Sequence, residues 1–219
     1  FSFYFIFWYN GKRSVKSMNF HYPNGKVYHK TKIKSASTSQ LTFANRGMRF
    51  EDAINESNEY YRNKRIAVIH KKPTPIQIVK VDYPRRSAAT IKEAYFKEAS
   101  TTDYNGVYRG YYLDFEAKAT QNRTSFPLKN FHVHQIEHMR SCMEQSGICF
   151  VLLYFSSLHR CFFLDAKTLI AKWDLQKTER KSIPIDEIIE VGIEIKMKIA
   201  PRVDYLEAVN QYLSNKGEQ

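Results

Sequence analysis

From residue 148 to 155 the chain reads Ile-Cys-Phe-Val-Leu-Leu-Tyr-Phe with no charged position. A run of that length suits a strand buried on both faces. Around it the pattern changes period. Phe50, Ala53, Ile54 and Tyr61 lie at i, i+3, i+4 and i+11, which predicts one apolar face of a helix of about 16 residues, with Asn45 as its N-cap. Ile136, Met139 and Met143 make a second apolar stripe over 134–146, stopped by Gly147. A third helix is expected at 203–215. Strands are expected at 66–69, 76–81, 91–96, 103–108, 111–118 and 161–164. Residues 70–75 hold two prolines and must be irregular. The tip 83–90 carries Tyr-Pro-Arg-Arg-Ser between two strands, so a protruding hairpin is expected there. Arg109-Gly110 joins 103–108 to 111–118 as a tight hairpin turn. Helix, strands, helix and buried strand predict an α/β body with a mixed central sheet covered by helices on both faces.

Composition narrows the class. Of 219 residues, 43% are hydrophobic and 15% aromatic, which excludes a disordered or fibrous protein. Three cysteines without a C-x-x-C pair exclude a disulfide scaffold and suit a reducing compartment, so a cytoplasmic location is expected. Charge is distributed unevenly. Residues 1–50 hold nine basic side chains and no acidic one, leaving 25 basic against 22 acidic in the remainder of a chain of net charge +12. A near-neutral body with a basic arm points to a polyanionic partner, nucleic acid before membrane. The opening FSFYFIFWY is too short to span a bilayer and lacks the charge and cleavage pattern of a secretory signal.

The expected organisation is a basic flexible N-terminal arm over 1–43, of which 1–17 precede Met18 as an extension outside the native protein. The body, 44–219, carries a hairpin stalk inserted at about 72–99. Residues 71–98 contain seven basic side chains against three acids. Lys80, Arg85 and Arg86 with Tyr83 suit phosphate contact and base stacking. Arg46 at a helix start is a further phosphate contact.

The segment with the most chemistry is 101–120, TTDYNGVYRGYYLDFEAKAT. In a strand, Tyr112, Asp114, Glu116 and Lys118 share one face and Leu113, Phe115 and Ala117 the other. The polar face sets out carboxylate, carboxylate and ammonium at about 7 Å intervals, twice the strand rise. The hairpin can return Glu116 beside Asp103. Two converging carboxylates with a lysine one step away suit metal-assisted phosphodiester hydrolysis. Hard oxygen ligands hold Mg²⁺, the ion makes water more acidic and neutralises phosphate charge, and the lysine steadies the transition state. An exposed strand with a Glu116–Lys118 surface salt bridge of under about 1 kcal/mol would show the same spacing. Spacing alone leaves both readings open.

These residues resemble the D…(D/E)-x-K core of the PD-(D/E)xK nucleases. The stretches VIHKKPTPIQIVKVDYPRRS, STTDYNGVY, DFEAK and FHVHQIEHM are similar to the bacterial RecU Holliday junction resolvases over roughly 18–210. The resemblance implies a restriction-endonuclease-like core and a protruding stalk. It implies a magnesium-dependent endonuclease of homologous recombination and DNA repair, with Mn²⁺ able to substitute. Its partners would be four-way DNA junctions, a second copy of itself, and recombinase and branch-migration proteins. By position, Asp103 and Glu116 match the metal-binding acids, Lys118 the transition-state-stabilising lysine, and Thr101 and Gln135 the remaining metal positions. Glu51 matches a carboxylate kept near the metal. Asp114 lies outside the motif and is expected to be exposed polar filler.

Two other functions fit part of the sequence. His134-Gln-Ile-Glu137-His138 matches the H-x-x-E-H motif of zinc peptidases, with His132 a further ligand, but leaves the Asp103, Glu116 and Lys118 row unexplained. A junction-binding recombination modulator that does not cut would need the basic arm and not the acids. Cys142, Cys149 and Cys161 read as core fillers.

Overall fold

The computed structural model describes residues 50–82, 90–96 and 100–217. The expected arm at 1–43, the Asn45 cap, Arg46 and the stalk tip with Tyr83, Arg85 and Arg86 lie outside them.

The chain enters as helix α1, Phe50–Asn63, which buries Phe50, Ala53, Ile54 and Tyr61, the stripe its spacing requires. Strand β1, Val68–Lys71, follows. An antiparallel pair comes next, β2 at Ile76–Asp82 and β3 at Thr90–Phe96. Their register shifts on either side of Lys80, a bulge that twists the ribbon. The residues described along it are exposed apart from the half-buried Val81, so it forms a two-stranded sheet of its own.

The body is built on β4, Tyr104–Tyr108, and β5, Tyr111–Thr120. Their turn has φ of 49° at Arg109 and 84° at Gly110. Positive φ at both central residues is the hairpin turn whose twist matches the strands, and glycine takes the second position without strain. After a short strand β6, Ser125–Pro127, helix α2, Val133–Glu144, crosses over to β7, Ile148–Phe155, which runs parallel to β5. A parallel neighbour needs such a crossover. Then come β8 at Arg160–Asp165, α3 at Ala166–Leu175, β9 at Ser182–Pro184, α4 at Ile185–Val191, β10 at Ile193–Ile195 and α5 at Tyr205–Gly217. The six-stranded mixed sheet has the order β1-β4-β5-β7-β8-β10.

Both faces are covered. One carries Leu113, Phe115, Phe150 and Phe163 under α1 and α5; the other carries Val151, Leu153, Phe162 and Leu164 under α2, α3 and α4. On the first face Tyr104, Phe115, Phe150 and Phe163 stack across four strands at ring separations of 4.9, 4.7 and 4.6 Å. The second face also receives Asp114, Glu116 and Lys118, because β5 registers Asp114 with Cys149, Glu116 with Val151 and Lys118 with Leu153.

Candidate functional site

The β4–β5 register sets the site. Tyr104 pairs with Phe115, so the residue before Tyr104 meets the residue after Phe115, and Asp103 comes to Glu116. The Asp103 N–H donates to Glu116 Oε2 at 3.0 Å. Lys118, two residues further along β5, brings Nζ to 3.0 Å from Glu116 Oε1. Apart from this ion pair, Oε1 is buried with no other polar partner among the described residues.

Glu116 is completely buried, whereas the Lys118 side chain remains 21% exposed. Burial pushes the Glu116 carboxyl up to about 8; Lys118 pulls it down and the charge of Asp103 raises it again. A buried carboxylate with a second acid beside it suits a small cation, whose charge would offset both acids. The exposed-strand alternative for this row is ruled out by the burial of Glu116.

The other predicted residues are placed less directly. Burial is the main reason the Tyr104 hydroxyl resists ionisation, and Glu51, Asp103, Glu116 and Asp52 each add to it. Glu51 therefore belongs to the same carboxylate neighbourhood, and its Oε2 lies 2.5 Å from Lys71 Nζ. Gln135 is buried at the third position of α2, and its Oε1 accepts the His132 N–H at 3.0 Å. The Thr101 hydroxyl donates to the Thr102 carbonyl at 3.1 Å. Lys80 is exposed on β2.

One expectation is corrected. Asp114 is fully buried, not surface filler: its oxygens take hydrogen bonds from the Thr102 hydroxyl, Tyr112 at 2.8 Å and Lys72 at 2.9 Å, with His138 Nε2 at 3.1 Å. Lys72 was missed because it lies 42 residues from Asp114. The residues of the H-x-x-E-H alternative face different partners. His138 turns to Asp114, Glu137 pairs with Arg140, and His134 stacks on His132. Among the described residues the group of three whose ligating atoms all lie within 4.8 Å is Asp114, His138 and Cys142. There Asp114 Oδ2 already meets Lys72, Tyr112 and His138, and Oδ1 accepts from Thr102. Burial raises the thiols of Cys142, Cys149 and Cys161, which suits packing more than nucleophilic attack.

Asp103, Glu116 and Lys118 thus gather where two antiparallel strands meet in a mixed sheet covered on both faces. The family described as "RecU: Recombination protein U" matches residues 45–211, and the chain belongs to that family. It is 59% identical to the Holliday junction resolvase RecU of Lactiplantibacillus plantarum over 90% of this chain and 97% of that protein. It is 57% identical to the protein of the same name from a Geobacillus species over 89% and 98% of the two chains. Among solved structures, Archaeoglobus fulgidus Hjc, a Holliday junction resolvase, is similar over 64% of this chain and 94% of that one, at 10% identity and a TM-score of 0.36.

Proposed function

We propose that this protein is a structure-selective endonuclease that resolves four-way DNA junctions in homologous recombination and repair, acting as a cytoplasmic homodimer with a divalent cation at each centre. The observation that supports it most is Glu116, a carboxylate with no exposed surface, held between Asp103 and Lys118. Relatives 54–59% identical are named Holliday junction resolvases.

Asp103 and Glu116 would hold Mg²⁺, or Mn²⁺ in its place. Thr101 and Gln135 would add oxygen donors, each keeping a lone pair beyond the bond it already makes. Glu51 supports the centre from α1. A bound ion supplies Lewis-acid stabilisation of the phosphate and acidifies water at the site. Lys118, part-exposed at the mouth, meets the negative charge that grows on the phosphate. Lys80, and Arg85, Arg86 and Arg46 outside the described residues, bind phosphates without reading sequence. Two centres related by a two-fold axis would match the two-fold symmetry of the junction.

The test is cleavage of an end-labelled immobile four-way junction in Mg²⁺, with linear duplex and EDTA as controls. Paired symmetric nicks in the junction alone are expected. Junction binding without cleavage of any DNA in Mg²⁺ or Mn²⁺ would overturn the reading in favour of a non-cutting binder.

A further inference from the structure

Asp103 lies outside β4, on the segment that leads into it. A ligand on such a segment has to be fixed by its neighbours. Lys72 and Asp114 do this from two sides. The Lys72 backbone N–H donates to the Asp103 carbonyl at 2.7 Å. The Lys72 ammonium donates to Thr102 Oγ1 at 3.1 Å and to Asp114 Oδ2 at 2.9 Å. Thr102 Oγ1 in turn donates to Asp114 Oδ1. Asp114 stands one strand-step before Glu116 on the same face of β5 and is fully buried.

We propose that Lys72 and Asp114 are positioning residues of the centre: their ion pair clamps Thr102 and the Asp103 backbone against β5, and so sets how tightly the acids take a divalent cation. The inference rests on the reading above that Asp103 and Glu116 hold that cation.

The chemistry favours a clamp over a passive pair. Pro73 directly follows Lys72 and disfavours helical backbone there, so the Lys72 N–H stays extended and aimed at Asp103. Tyr112 and His138 both reach Asp114 Oδ2, leaving the carboxylate no freedom to turn from Thr102. Lys72 therefore holds residue 103 by its main chain and residue 102 by its side chain. Groups that orient metal ligands in this way are worth a large factor in affinity although they never touch the ion.

The experiment titrates Mn²⁺ into the DNA-free protein, following free Mn²⁺ by its paramagnetic resonance signal, for wild type, Thr102→Val, Lys72→Met and Lys72→Arg. Junction cleavage is then measured against Mg²⁺ concentration. Thr102→Val keeps the side-chain shape, exchanges the hydroxyl for a methyl and leaves the Lys72–Asp114 pair in place, so it carries the test if Lys72→Met, which leaves Asp114 buried without its cation, does not fold. Thr102→Val and Lys72→Met are expected to weaken Mn²⁺ roughly tenfold. The Mg²⁺ needed for half-maximal cleavage should rise by the same factor, the rate at saturating Mg²⁺ should return near wild type, and Lys72→Arg should recover part of the affinity. Folded Thr102→Val with wild-type Mn²⁺ affinity would overturn the proposal. Weakened Mn²⁺ in the variants of a protein that cuts no junction would support the clamp and sink the resolvase reading instead. A wild type that binds no Mn²⁺ would overturn both.

Discussion

Glu116 combines two opposed properties, burial and an acid's charge. Losing its hydration pushes the carboxyl from 4.5 to about 8, against the pull of Lys118. A carboxyl raised in the fold contributes stability that is fully present below its ordinary pKa and is lost as pH rises through about 8. Metal-free protein is therefore expected to melt lower at pH 8.5 than at pH 6, and Glu116→Gln should flatten that difference. Mg²⁺ should raise the melting temperature more at pH 8.5, where the site is an anion that it neutralises. Each kcal/mol moves the midpoint by about 2–4 °C for a domain of this size, so scanning calorimetry at the two pH values reads it directly. The same slope in wild type and Glu116→Gln would mean that Glu116 is not the titrating group.

The β4–β5 hairpin is the element on which the site depends. A Cβ at Gly106 would meet the Val68 carbonyl oxygen at 2.1 Å and Ile69 Cα at 2.6 Å, because β1 lies against β4 at that point. Gly106→Ala should cost about 1–3 kcal/mol by overpacking, measurable by urea denaturation. It should also weaken cation binding, since β1 leads into Lys72. A variant as stable as wild type would show that the two strands can part freely. This hairpin was legible in the sequence because apolar and polar side chains alternate along β5 and Arg-Gly marks its turn. The β7 strand was legible through its unbroken apolar run. Helices α3 and α4 and strands β6, β9 and β10 were not, since each is a short segment whose apolar residues show no clear period until the sheet supplies a surface. The burial of Asp114 was equally hidden. Alternation assigned its face correctly, but what makes that face a closed interior is α2 above it and Lys72 just past β1, contacts across 24 and 42 residues.

For the whole molecule, a net charge of +12 set against a polyanion predicts affinity that falls steeply with salt. Lys80 is exposed on the ribbon, and Lys80→Ala should weaken binding to every DNA alike and lower the log–log salt slope by about one, read by anisotropy titration at several salt concentrations. An unchanged slope would place the ribbon away from DNA. Among the described residues no helix is long and apolar enough to cross a membrane. The central claim is that one strand face, Glu116 and Lys118 with Asp103 returned beside them, cuts the junction. It is tested most directly by single-turnover cleavage of a four-way junction in saturating Mg²⁺, comparing wild type with Lys118→Ala. The prediction is paired nicks in wild type and a rate lower by roughly a hundredfold or more in the variant, with junction binding in EDTA unchanged. Cleavage by Lys118→Ala at the wild-type rate would contradict the account.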